Sequence, residues 1–130
     1  MTDLSPISVE HAGAISTLTV QRPTALNALN RATLEALLQA VTELRGRSGL
    51  GCVIVTGAGR AFCAGADLSG GGFGRGAAPA SPGEAPVEKV GRDGAGLVTL
   101  RIFESLKPVI GAVNGAAVGV GVTMLLPMDI

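Results

Sequence analysis

The chain has 130 residues, its ten basic and ten acidic side chains cancel, and only 15% of positions are charged. No basic face is available to grip a phosphate backbone, which argues against nucleic-acid binding. Hydrophobic residues at 47% are too many for a disordered segment, so one small domain, or part of a larger one, is expected to bury a core.

The aromatic residues are Phe62, Phe73 and Phe103, too few for a base-stacking platform. Twenty glycines, about twice the usual share, shift the emphasis to backbone geometry. Cys52 and Cys63 form no CxxC and have no paired His. That excludes a zinc site or a disulfide scaffold and fits a reducing, cytoplasmic setting. Met1–Glu10 lacks a basic region followed by an apolar run and does not read as a signal peptide.

In chain order, Ala14–Val20 reads as a strand by its β-branched content, stopped by Arg22-Pro23. A turn follows, and Arg31–Arg45 then carries Leu34, Leu37, Leu38, Val41 and Leu44 on one face of a helix. Asn30 is the expected N-cap and Gly46 the expected stop. Gly51–Thr56 is a short apolar run, the pattern of a strand covered on both faces. Strand, helix and strand at this spacing predict an α/β architecture with parallel pairing through a right-handed crossover.

Ser69–Gly96 holds nine glycines and three prolines and is expected to be a flexible surface excursion, either a passive loop or a lid. Leu97–Leu106 resumes as a helix, ended by Lys107-Pro108. Val109–Val113 reads as a buried strand, Asn114-Gly115 as a turn, and Val118–Leu126 as a buried helix.

Two glycine-rich stretches could carry chemistry. In Thr56–Asp67, Phe62 stands where a dinucleotide loop needs its third glycine, so the Rossmann reading is weak. The small residues Ala64-Gly65-Ala66 allow close backbone approach of a ligand and leave amides free to donate. Asp67 could serve as a base, although a turn-satisfying carboxylate is the commoner role. In the second stretch, Gly119-Val120-Gly121 opens a helix with free N–H groups. The Ala66 and Val120 amides would form an oxyanion hole if the fold brought them together.

Pro108–Met128 contains no charge, and Gly111, Gly115 and Gly119 form a small-xxx-small series, which leaves a membrane helix as a rival reading. His11 stands alone and reads as a surface or strand-end residue. Cys63 reads as a buried thiol rather than a nucleophile, and Glu104 and Lys107 as solvated helix positions.

Three segments, Arg22–Leu29, Val53–Leu68 and Lys107–Gly121, in this order and spacing resemble the N-terminal half of the crotonase (enoyl-CoA hydratase/isomerase) superfamily. The resemblance implies a spiral of ββα units within a single domain, assembled as homotrimers or hexamers. It implies an acyl-CoA thioester substrate, no metal and no separate cofactor, and it disposes of the membrane reading. The Ala66 and Val120 N–H groups match the pair that holds the thioester carbonyl and stabilises the enolate. Ala25, Leu26 and Asn27 match the stretch beside the CoA adenine, Ala66, Asp67 and Leu68 match the bend around pantetheine and thioester, and Ala64 and Gly65 are substrate-binding positions beside it. Gly119 and Thr123 match further substrate-lining positions.

Thr123 departs from the family's hydratases, which carry a glutamate there, and threonine is no general base near neutral pH. Isomerase-like enolate chemistry is therefore expected in preference to hydration. The remaining carboxylate would come from the second half of the family's length, so the 130-residue chain by itself is expected to be inactive. The alternative is a non-catalytic acyl-CoA-binding or subunit-pairing protein.

Overall fold

Alternating Ile7 and Val9 against Ser8 and Glu10 open the chain as a strand, β1 (Ile7–Ala12), that turns back into β2 (Ile15–Val20). This computed structural model describes residues 5–69 and 94–130. The two-residue connection has Gly13 at φ +58 and Ala14 outside the positive-φ region. A positive first central residue followed by an ordinary one is the hairpin arrangement that matches strand twist. The antiparallel register runs from Ile7 opposite Val20 to Ala12 opposite Ile15. The β1 strand is absent from the sequence-based expectations, because its polar second half masks the alternation.

After a 3-10 turn at Pro23–Ala25, α1 spans Arg31–Gly46. Asn30 caps it, accepting from the Thr33 N–H at 2.9 Å and the Thr33 hydroxyl at 2.7 Å. Gly46 is not the stop: it is the last helical residue, and Arg47 turns extended after it. The buried stripe is Thr33, Leu34, Leu37, Ala40 and Leu44, with Leu38 and Val41 half-buried beside it.

The next strand, β3 (Cys52–Gly57), pairs in parallel with β2, and β5 (Val109–Ala112) pairs in parallel with β3. The four-stranded sheet has the order β1-β2-β3-β5. A small second sheet pairs β4 (Ala61–Cys63) with β6 (Ala116–Ala117), also in parallel. Between the sheets' contributions lie α2 (Gly94–Phe103) and α3 (Val120–Leu125). The order is thus ββα three times over: β1β2α1, β3β4α2, β5β6α3. Each unit after the first adds a strand to each sheet, which is the spiral expected from the resemblance.

One face of the large sheet carries Ile7, Leu18, Val20, Val53, Val55 and Val109, and these join Leu37, Leu44, Val98 and Ile102 from the helices in one core. The other face of β3 is only half-buried, which corrects the expectation of a strand covered on both sides. Val109 alone is buried in β5. The third helix is shorter than expected and buries only Gly121 and Met124, since Val118 and Val122 point outward. The second begins three residues before Leu97 and ends at Phe103, so the chain leaves the helix well before Pro108. Most of the expected flexible excursion lies outside the described residues. Among the described residues no helix is long and apolar enough to cross a membrane.

Candidate functional site

Pro23 starts a tight turn by fixing its own φ, and the chain then passes through two left-handed residues, Leu26 at φ +52 and Asn27 at φ +57. A left-handed leucine costs about 1 kcal/mol or more. Asn27 holds it there: fully buried, its Oδ1 accepts from the Arg22 N–H at 2.9 Å. Its Nδ2 donates to the carbonyls of Ala58 and Ala61, each at 2.8 Å. This side chain therefore supports the loop from beneath and has no donor or acceptor directed at a ligand. Ala25 and Leu26 are half-buried on the same loop.

A second segment, Ala64–Ser69, runs alongside. Ala64 N–H donates to Leu26 O at 3.0 Å, Leu29 N–H to Gly65 O at 2.8 Å, and Asp67 N–H to Leu29 O at 2.9 Å. Leu29 and Ala66 thus form a parallel bridge in which the bonds to Leu29 come from Ala66's two neighbours. The Ala66 N–H points the opposite way, and among the described residues it has no partner. Gly65 takes φ +105, and a β-carbon there would press on Val118 O at 3.1 Å.

Asp67 faces the supporting side. Its Oδ1 accepts from the Ser69 hydroxyl at 2.6 Å and the Ser69 N–H at 3.0 Å, and its Oδ2 pairs with Arg22 Nη2 at 2.9 Å. The other arm of the Arg22 guanidinium, Nη1, donates to Ala28 O. The Ser69 hydrogen bonds, then Arg22, push the Asp67 carboxyl down to about 2. A carboxylate held ionised and fully hydrogen-bonded is a poor base, so the turn-satisfying role is the one its geometry fits. Leu68 is 78% exposed.

Val118–Gly121 closes a tight turn, Gly121 N–H donating to Val118 O at 2.9 Å. Gly119 sits at φ +56, ψ −120, the first central position of a type II′ turn. Gly121 lies so close to β4 that a β-carbon there would collide with Cys63 O. The Val120 N–H, at the first position of α3, has no partner among the described residues.

A cleft of about 610 Å³ is lined by Ala66, Gly119, Val120 and Thr123 together with Ala95, Gly96, Thr99 and Leu100 of α2. None of these side chains ionises. The hydroxyls of Thr99 and Thr123 donate to carbonyls of their own helices, Ala95 O and Val120 O, each at 3.1 Å. The α2 wall is missing from the sequence-based site, and small residues in an ordinary helix offer no signal by which to find it. Cys63 is buried beneath the cleft floor, where desolvation pushes its thiol up, as suits an inert packing group. His11 is exposed on the hairpin, with Nδ1 2.7 Å from the Ser16 hydroxyl.

The profile of the family described as enoyl-CoA hydratase/isomerase matches residues 10–130. The chain belongs to the enoyl-CoA hydratase/isomerase family. Enoyl-CoA hydratase AKT3-2 of Alternaria alternata is 35% identical over 119 residues, covering 92% of this chain and 37% of that one. The 1,2-epoxyphenylacetyl-CoA isomerase of Escherichia coli is 38% identical over 116 residues, covering 89% and 42%. Among solved structures, the enoyl-CoA hydratase of Bacillus anthracis superposes with a TM-score of 0.74 at 31% identity, covering 96% of this chain and 46% of that one. The fold is accordingly the family's, with three ββα units present in this chain. The chain spans less than half the length of these relatives.

Proposed function

We propose that this chain holds the carbonyl of an acyl-CoA thioester between the main-chain N–H groups of Ala66 and Val120 and stabilises the enolate formed beside it. The observation that carries this is two amides on one cleft without partners among the described residues, in a member of the enoyl-CoA hydratase/isomerase family. Such preorganised donors cost no reorganisation when charge develops on the oxygen, and each is worth about 3–4 kcal/mol at a transition state. The Ala25–Leu26 turn and the Ala64–Ala66 bend are the surfaces that would lie along the CoA.

Thr123 directs the reading toward double-bond isomerisation and away from hydration. Its hydroxyl is bonded to Val120 O and cannot accept a proton from water near neutral pH. The apolar, neutral lining of the cleft also favours a second reading, an acyl-CoA-binding protein without a proton-transfer group. The first reading includes a homotrimeric or hexameric assembly for the complete protein.

The test compares binding of crotonyl-CoA with that of its thioether analogue, which lacks the carbonyl. The thioester is expected to bind more tightly. Val120→Pro removes one N–H at a first helical position, where proline is accepted, and should abolish most of that preference. Equal binding of the two ligands by the wild type would overturn the oxyanion reading. Double-bond migration by the protein supports the isomerase, and steady hydration of crotonyl-CoA would overturn it. Because the 130 residues alone are expected to be inactive, both reactions are scored in a form that carries the second half of the family's length, and binding there with neither reaction favours the non-catalytic reading.

A further inference from the structure

We propose that Arg22 and Asp67 are positioning residues, an ion pair that sets the direction of the Ala66 N–H; the inference rests on the carbonyl-binding reading above. Ala66 is attached to the rest of the protein by its two neighbours, through Leu29 N–H on Gly65 O and Asp67 N–H on Leu29 O. A single parallel bridge of this kind has no ladder beyond it to fix its twist. The Asp67 side chain supplies the missing constraint. Its Oδ2 is held at 2.9 Å by Arg22, whose other arm grips Ala28 O, one residue before the bridge partner. The Arg22 backbone is itself fixed by Asn27.

A planar fork that spans Ala28 and Asp67 clamps both sides of the bridge, which a point charge such as lysine does not reproduce. The pair is largely shielded, with side chains 22% and 15% exposed, so solvent does not loosen it as it would a surface pair. None of its hydrogen bonds uses the Ala66 N–H, which it leaves free to face the cleft. Neither residue lines the cleft.

The experiment measures the ratio of thioether to thioester dissociation constants, for S-butyl-CoA and crotonyl-CoA, in the wild type, Arg22→Met, Asp67→Asn and the double variant. The two single variants are expected to lower the ratio about tenfold, and the double variant by no more than either alone. Arg22→Lys, which keeps the charge but not the fork, should fall in between, and it carries the test if Arg22→Met does not fold. A wild type without thioester preference overturns the carbonyl-binding reading, and this inference with it. A wild-type preference that survives in these variants overturns this inference alone. Equal weakening of both ligands does the same, since it marks a merely structural pair.

Discussion

Asn27 spends its whole side chain inside the protein, bonding one backbone N–H and two carbonyls while holding φ +57. Asn27→Ala would strand the Arg22 N–H and the Ala58 carbonyl, while Ala61 O keeps the Asn114 side chain as a donor, and is expected to cost about 2 kcal/mol or more, read as a lowered urea midpoint. Asp67 offers a prediction of a different kind. Its carboxyl lies at about 2 against an ordinary 3.8, so the folded state binds a proton less readily than the unfolded chain. Its contribution to stability is therefore fully present above 3.8 and is lost as pH falls toward 2. Asp67→Asn should unfold at lower urea than wild type near neutrality, and the gap should close across that acid window. A gap that persists unchanged at pH 2 would show that the carboxylate charge contributes nothing.

Among the elements, α1 depends on its cap. Asn30→Ala is expected to cost about 1 kcal/mol, measured by thermal unfolding. The contact between α3 and β4 is tighter still, because Gly121 leaves no room for a methyl group against Cys63 O. Gly121→Ala should destabilise by about 1–3 kcal/mol and tilt the first turn of α3, with loss of thioester preference.

The same elements mark how far the sequence can be read. The leucine stripe of α1 announces itself by its period, and β2 and β3 by β-branched content and a continuous apolar run. The three residues of β4 and two of β6 are too short for any period to register, and their pairing depends on chain segments more than fifty residues apart. Ala66 and Val120 are picked out by their small neighbours and by a helix start, but whether their amides share one cleft is not legible in residue type, and the resemblance alone implies it. Thr99 and Leu100 are invisible as cleft residues until α2 is seen beside α3.

At the scale of the molecule, three ββα units stack so that the neutral cleft lies between the third helix, the second helix and the Ala66 bend. The outside is less finished. Phe103 is 73% exposed, Leu106 94% and Leu126 75%, with no cover among the described residues. The chain is expected to self-associate with rising concentration, and Phe103→Lys with Leu106→Lys should reduce that association in sedimentation without lowering the melting temperature.

The parallel ladder also has a consequence in time. The β1–β2 hairpin joins neighbours through two residues, but β2 must find Cys52–Gly57 from across α1, and β3 must find Val109–Ala112 from across the second unit. Distant partners are entropically slow to meet, so the hairpin and α1 can form early and wait for the rest. The bend that carries Ala66 is fastened only when that search ends. The carbonyl-binding geometry is then among the last features to appear as the chain folds, and among the first to be lost when it begins to open.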